Sequence, residues 1–193
     1  MKLLVARQSP SGKPVVSTEC GYRYSGDQLV SEKAGATYLP RLLAEFFRRG
    51  FFRSFQYELL GSEWGLLRDD LTERPAFTAL KNMLTVLHDA DETAPGSPDF
   101  TLKDAPPDVR RVLLRKSGGA FYLLLWREVP SWDVQGKKDL TPKPAALTLE
   151  VAQPAAKVQT YSPNESTGPR TAGENNASIP LTVGDALLIV RIE

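Results

Sequence analysis

The pattern of hydrophobic and polar positions changes character near the middle of the chain. In the first half, short apolar segments alternate with longer ones in which apolar residues recur every three or four positions, which is typical of strands followed by helices. From Ala90 onward the helical spacing disappears, and short strand-like segments are separated by Pro, Gly and Asn. The pattern predicts a β/α region at residues 1–92 and an all-β region at 97–193, joined by a polar linker.

The first region contains two strand–helix pairs. Val15–Thr18 is short and rich in β-branched residues, so it predicts a strand that Pro14 can only begin. Phe51–Leu60 predicts a second strand, in which Phe55, Tyr57 and Leu59 share one side and Ser54, Gln56 and Glu58 the other.

The helix between these strands has signals at both ends. Ser31 is a good N-cap residue, and Gly50 suits the position just beyond the C-terminus. Pro40 predicts a kink or a local break. The apolar stripe consists of Leu39, Leu42, Leu43, Phe46 and Phe47.

The helix after the second strand has Thr72 as its predicted cap and Pro75 in its first turn. Capping and turn chemistry explain the adjacent carboxylates Asp69 and Asp70 more simply than catalysis does. The predicted buried face consists of Phe77, Leu80, Met83, Leu84 and Leu87.

A carboxylate, Glu19, comes where the first predicted strand ends, and Gly21 follows it. A carboxylate at the end of a buried strand is costly unless it is paired or has a chemical role. In a β/α barrel the carboxyl ends of the strands form the catalytic face. Glu19 is therefore the leading catalytic candidate.

The chain resembles the retaining glycoside hydrolases of clan A through residues 13–22, KPVVSTECGY. In that clan, strand seven is an apolar strand that begins with Pro and ends in Thr-Glu-x-Gly. The resemblance continues through three further segments, which look like helix seven, strand eight and helix eight of the same barrel: SEKAGATYLPRLL, RRGFFRSFQYELL and GLLRDDLTERPAFTALKNML.

This resemblance, which covers residues 1–92, implies a fold and an activity. The fold is α/β plus all-β: an incomplete TIM-barrel portion, its last two βα units, followed by an antiparallel β-sandwich. The activity is retaining hydrolysis of β-linked sugars with Glu19 as the nucleophile. The acid/base glutamate of strand four has no convincing counterpart in this chain, so we expect the isolated chain to be inactive.

On this reading Ser54, Gln56 and Glu58 face the barrel interior or its mouth. Three residues are candidates for substrate binding. Tyr22 opens the loop after Glu19, where specificity is set in a barrel. Glu58 accepts a hydrogen bond from a sugar hydroxyl or forms an ion pair with an arginine such as Arg53. Trp64 is a stacking platform for a sugar or an anchor for its loop.

Six segments predict the strands of the sandwich. Ser117-Gly118-Gly119 predicts a hairpin turn between the first two, Gly184-Asp185 a tight turn between the last two, and residues 131–144 an exposed loop. The strand segments are Val109–Arg115, Phe121–Glu128, Leu147–Ala152, Lys157–Tyr161, Ser178–Val183 and Ala186–Ile192.

Other residues of catalytic type have simpler interpretations. Cys20 is the single cysteine, and a small residue packed beneath the site is the simpler reading. Asn164-Glu165 repeats the dipeptide of the clan's acid/base residue, but it lies among turn formers. His88 is the single histidine, so no histidine pair exists for a metal, and neither a metal site nor a cofactor is expected.

Composition limits the partners. The net charge is +1 without a basic block, which argues against nucleic acid. The apolar runs are too short for a transmembrane segment or a signal peptide, and the sequence does not indicate a compartment. Carbohydrate is the expected partner, and the incomplete barrel predicts self-association or a missing barrel portion that covers it.

The competing interpretation is a non-catalytic carbohydrate-binding or structural β-sandwich module that carries a barrel remnant. On that reading, Trp126 and Trp132 are the first candidates for sugar stacking. Core packing for Trp126 and loop anchoring for Trp132 are the favoured alternatives.

Overall fold

The computed structural model describes residues 12–24, 29–89 and 98–193. These residues form two α-helices and ten β-strands. In chain order they are β1 (Val16–Cys20), α1 (Glu32–Arg48), β2 (Arg53–Gln56), α2 (Pro75–Leu87), β3 (Phe100–Lys103), β4 (Val109–Arg115), β5 (Phe121–Arg127), β6 (Trp132–Asp133), β7 (Lys138–Asp139), β8 (Ala145–Tyr161), β9 (Arg170–Val183) and β10 (Leu188–Ile192).

The chain divides into two compact units. The first comprises the residues up to Leu80 together with Trp132–Leu140, and the second comprises Lys81–Ser131 and Thr141–Glu193. The first unit therefore includes a hairpin, β6–β7, from the segment predicted as an exposed loop. The domains predicted at residues 1–92 and 97–193 are defined by independent folding, which this division by contacts does not measure, so those limits stay a prediction.

The first unit contains a parallel strand pair, β1 and β2, connected through α1. The side chain of Ser31 accepts a hydrogen bond from the Ala34 amide at 2.9 Å, which confirms Ser31 as the N-cap. At the other end, the Gly50 amide donates to the Phe47 carbonyl and the Phe51 amide to the Phe46 carbonyl. These two bonds, with Gly50 at φ +78°, form the Schellman motif that its position predicted.

Two details of the predicted helices differ from the structure. Helix α1 continues through Pro40, which is fully buried, so the predicted local break is wrong, while the alternative of a kink stays a prediction. Helix α2 begins at Pro75 rather than after Thr72, because proline has no amide hydrogen to leave unpaired in a first turn. The Thr72 hydroxyl and amide instead donate to the Asp70 carboxylate at 2.6 and 3.0 Å. Turn chemistry is thus the role of Asp70.

The second unit contains one curled antiparallel sheet of six strands. The order is β3–β8–β10–β5–β4, and β9 pairs with β8. The antiparallel pairing agrees with the predicted β region, whereas the two packed sheets of a sandwich stay a prediction, and β3 was missed. The segments 147–152 and 157–161 join into a single strand, because Pro154 lies at a register shift between Glu150 and Ala155, where a proline is tolerated.

The core of this unit lies against one face of the sheet. Twelve buried residues from β5, β8, β9 and β10 form it: Leu123, Leu125, Leu147, Leu149, Val151, Ala155, Val158, Ile179, Leu181, Val183, Val190 and Ile192. Trp126, at 2% exposed, is buried as the core-packing interpretation predicted. The end of α2 is attached to the β4–β5 turn, since Lys116 donates to the Val86 carbonyl at 2.8 Å.

We predict that Leu149→Ala destabilises the second unit. Leu149 is fully buried in the middle of β8, so the substitution leaves a cavity and lowers the free energy of unfolding by about 2–5 kcal/mol. Urea unfolding measures this loss. Thr101→Ala on the neighbouring strand is the control, because Thr101 is exposed. Equal losses in the two variants would contradict the assignment of Leu149 to the core.

Candidate functional site

Glu19 lies at the carboxyl end of β1, where the strand carries a β-bulge. In register with β2, Ser17 pairs with Ser54 and Cys20 pairs with Gln56, so β1 holds one extra residue between these pairs. A bulge changes the direction in which the next side chains point, and bulges are frequent beside active sites. The Glu19 side chain is exposed, although its strand is paired.

The two sides of the strand pair differ in exposure. Ser54 and Gln56 are half-buried, whereas Phe55 and Tyr57 are 53% and 44% exposed. Glu19 therefore shares the open side with Phe55 and Tyr57. Ser54 and Gln56 were expected on the barrel interior, but in the structure they lie on the more covered side of the strand pair, and the side of Phe55 and Tyr57 is the open one.

Gly21 permits the ends of β1 and β2 to approach closely. A Cβ atom at this position would lie 2.3 Å from the Tyr57 carbonyl oxygen. The Tyr57 amide donates to the Cys20 carbonyl at 2.8 Å, which continues the strand pairing beyond Gln56. The glycine of the Thr-Glu-x-Gly segment thus brings Tyr57 beside the residues that follow Glu19.

Tyr22 is half-buried and lies against α1. Its ring centroid is 5.5 Å from that of Tyr38, and burial raises the pKa of the Tyr22 phenol although the nearby Arg41 lowers it. Tyr22 is therefore a neutral hydrogen-bonding group at neutral pH. Tyr38 was not singled out from the sequence, because an aromatic residue on a helix usually indicates only packing.

Glu58 and Trp64 both lie in the segment after β2. The Glu58 carboxylate is folded over Gly61, where an added Cβ atom would be 2.3 Å from its Oε1 atom. Among residues 12–24, 29–89 and 98–193 no ion pair joins Glu58 to Arg53, whose guanidinium lies 5.3 Å from the Phe52 ring. The Trp64 ring meets the Tyr57 ring edge-on at 6.2 Å between centroids.

Arg74 connects the loops around this edge of the strand pair. It is 7% exposed and donates to the Gly65 and Ser62 carbonyls, both at 2.9 Å. It also forms an ion pair with Glu32, in the first turn of α1. Because its side chain bonds both to the loop after β2 and to the first turn of α1, Arg74 fixes that loop relative to the helix.

Two further residues complete this cluster. Arg68 forms a second ion pair with Glu32 at 2.5 Å, so the carboxylate is shared by two arginines. The Tyr24 ring lies 5.0 Å from the Arg74 guanidinium and fills space that the absence of a side chain at Gly35 leaves open. Burial raises the pKa of Tyr24 to about 12, and the Arg74 charge opposes part of this rise. We call Arg74, Glu32, Arg68 and Tyr24 the Arg74 cluster.

The loops that follow β1 and β2 are also joined directly. The Tyr24 amide donates to the Glu63 carbonyl at 2.7 Å, and the Arg23 guanidinium pairs with the Glu63 carboxylate at 2.7 Å. The segment that carries Tyr22 is therefore held against the segment that carries Trp64.

The remaining catalytic-type residues do not form a second site. Burial raises the pKa of the Cys20 thiol, although a hydrogen bond with Ser17 lowers it, so a thiolate nucleophile is disfavoured. Glu165 pairs with Arg170 in an exposed position, 57% and 72% accessible. A carboxyl there lacks the apolar surroundings of a general acid.

Within the described part of the chain, no group of three His, Cys, Asp or Glu residues is arranged to hold a metal ion. Among the same residues, no helix is long and apolar enough to span a membrane.

We predict that Arg74→Ala strongly destabilises the first unit. The substitution removes two carbonyl contacts and leaves Glu32 with one partner, at a cost of about 3–5 kcal/mol. Urea unfolding followed by amide signals of each unit measures this loss. Arg170→Ala is the matched control, since its ion pair is exposed and contributes at most about 1 kcal/mol. Similar losses would refute a central role for Arg74.

We also predict that Gly21→Ala separates the ends of β1 and β2. The added methyl group would collide with backbone, which yields less than a side chain, and the expected loss is about 1–3 kcal/mol. The Tyr57 amide should exchange with solvent faster, because its bond to Cys20 is lost. Gly118→Ala serves as the comparison, since nothing lies within 4 Å of a Cβ atom there. Unchanged Tyr57 exchange would contradict this prediction.

The chain is similar in structure to several glycoside hydrolases. One is a family 39 glycoside hydrolase from the gut symbiont Bacteroides cellulosilyticus, with a TM-score of 0.65, 13% identity, and coverage of 93% of this chain and 34% of that one. Another is CelM2, a bifunctional glucanase-xylanase from a metagenome library, with a TM-score of 0.57, 17% identity and coverage of 98% and 33%.

A third is the catalytic domain of the family 30 xylanase C from Talaromyces cellulolyticus, with a TM-score of 0.58, 13% identity and coverage of 95% and 41%. The chain thus spans between a third and two fifths of the length of these structures. No protein-family model matches the chain. No curated protein matches it either. The shared feature is the fold, which matches part of the fold of these glycoside hydrolases.

Proposed function

We propose that this chain is the carboxyl-terminal portion of a retaining glycoside hydrolase, in which Glu19 is the nucleophile. The observation that carries this proposal is the place of Glu19: an exposed carboxylate at the carboxyl end of a parallel strand, on the open side with Tyr57. The fold similarity to glycoside hydrolases supports the same assignment.

The mechanism needs two carboxyl groups about 5–5.5 Å apart. The Glu19 carboxylate attacks the anomeric carbon, and the bond to the leaving oxygen breaks as a general acid protonates that oxygen. Water, activated by the same group, then cleaves the glycosyl ester and regenerates Glu19. The general acid belongs to the barrel portion that lies outside this chain, so the chain alone is inactive.

Four side chains of this unit would bind the sugar. Tyr57 and Trp64 form an aromatic pair beside the open side, suited to the apolar faces of a sugar ring. Tyr22 follows Glu19 by three residues and provides a neutral hydroxyl. The Glu58 carboxylate accepts a hydrogen bond from a sugar hydroxyl.

The exposed apolar residues of the first unit support the hypothesis that this unit is part of a larger barrel. Val16, Phe55 and Leu59 are 41%, 53% and 59% exposed on or just after the paired strands. Parallel sheets are normally covered on both faces and closed at their edges. In our proposal the remaining βα units cover this side, and the curled sheet of the second unit is the carboxyl-terminal β domain of the enzyme.

The competing binding-module function has less support. The carbohydrate-binding form of that alternative relied on sugar stacking by Trp126 or Trp132, and these side chains are 2% and 8% exposed. Neither ring face is available to a sugar, so an accessory role in carbohydrate binding would need other residues.

The test restores the barrel by placing six βα units of a structurally similar glycosidase before this chain. We predict that a 2-deoxy-2-fluoro aryl β-glycoside then labels Glu19, which mass spectrometry of the peptides detects. Glu19→Gln should lower turnover by on the order of 10⁴-fold or more, because the nucleophile is lost while its shape is kept.

Glu165→Gln is the control, since Glu165 carries the Asn-Glu dipeptide of the clan's acid/base residue but forms an exposed ion pair with Arg170 in the second unit. It should keep full activity. The unfused chain should show no turnover. A label on another residue, or activity retained in Glu19→Gln, would remove Glu19 from the mechanism.

A further inference from the structure

We propose that the β6–β7 hairpin is a wall of the sugar site, and that Tyr38 is the positioning residue that joins this wall to Tyr22. The inference rests on the proposed function, since it takes Tyr22 as a sugar contact.

Both strands of the hairpin are anchored to α1. The Trp132 amide donates a hydrogen bond to the Tyr38 hydroxyl oxygen at 3.0 Å, and the Ser31 hydroxyl donates to the Asp139 carboxylate. Trp132 is itself 8% exposed. The hairpin is therefore a fixed part of the first unit rather than the exposed loop that its polar sequence predicted.

One anchor point, Ser31, lies at the same edge as Glu19. Ser31 is the N-cap of α1, and in a βα unit the start of the helix lies beside the carboxyl end of the preceding strand. Tyr22, three residues after Glu19, contacts the Tyr38 ring at 5.5 Å. A continuous series of contacts thus runs from the residues after Glu19, through Tyr22 and Tyr38, to Trp132.

The tip of the hairpin is held by hydrogen bonds of its own. The Asp133 carboxylate accepts hydrogen bonds from the amides of Gln135 at 3.1 Å and Gly136 at 2.9 Å. Val134, at the tip, is 75% exposed. A preformed, exposed tip contributes contacts at little entropic cost, which is what a wall of a binding site requires.

Tyr38 has two separable functions in this arrangement. Its ring supports Tyr22, and its hydroxyl holds the hairpin. Tyr38→Phe removes only the hydroxyl, whereas Tyr38→Ala removes both contacts. A residue with a merely structural role would change stability without changing the affinity for sugar, and comparing the two variants separates these cases.

The experiment is an NMR titration of the 193-residue chain with xylotetraose, a neutral β-linked oligosaccharide, combined with amide hydrogen exchange. In Tyr38→Phe we expect the Trp132 amide to exchange about two- to tenfold faster, as the loss of one hydrogen bond implies. The dissociation constant for xylotetraose should rise by a similar factor, and more in Tyr38→Ala. Lys33→Ala, on the exposed side of α1, should change neither quantity.

Asp139→Ala provides a second, milder variant with the same expected direction, because it frees the opposite strand of the hairpin at an exposed position. If Trp132 exchange is faster in Tyr38→Phe but the affinity for xylotetraose is unchanged, the hairpin is not a wall of the sugar site. That result would leave the proposed function intact. Unchanged Trp132 exchange would overturn the anchor. If xylotetraose moves no Tyr22 or Trp64 signal in the unmodified chain, both the wall and the sugar site are wrong.

Discussion

The shared carboxylate of Glu32 is the interaction on which the first unit depends. Two arginines, Arg68 and Arg74, converge on it, and Arg74 extends to two backbone carbonyls of the post-β2 loop. A nearly buried arginine is stabilising only when its donors are satisfied, and here they are distributed over separate segments of chain. The Arg74 cluster therefore couples the conformation of the loop after β2 to that of the start of α1.

That arrangement holds the candidate catalytic edge without contacting Glu19. The carboxylate of Glu19 stays exposed on the open side, and the bulge in β1 and the side-chain-free position of Gly21 determine where it and Tyr57 lie. Positioning a reactive group through backbone geometry leaves its side chain available for chemistry. The charged residues of the Arg74 cluster stabilise the loops, whereas Gly21 and the bulge in β1 orient the strands.

Much of this organisation could be predicted from the sequence. The ends of α1, at Ser31 and Gly50, followed from local capping chemistry. The first strand was predicted to end before Glu19, whereas β1 continues through Cys20 and includes it. The side to which Ser54 and Gln56 point could not be predicted, because alternation defines two sides without saying which one the helices cover. The bulge adds a residue whose presence depends on pairing with β2.

The Arg74 cluster was missed for a related reason. Arg74 and Glu32 are 42 positions apart along the chain, and no local pattern indicates that they meet. The β6–β7 hairpin was missed because its residues are polar, and its order comes from anchoring to α1 rather than from a hydrophobic alternation of its own.

Because of the β6–β7 hairpin, the first unit is not one continuous stretch of the chain. Residues 132–140 belong with the first unit although they are encoded between two strands of the second. A shortened gene that ends at the linker would thus discard part of the first unit, and an exchange of the β domain between related proteins would carry a piece of the proposed sugar-binding edge with it. Natural selection on the sequence of the β domain would then also change the first unit, although each unit has its own core.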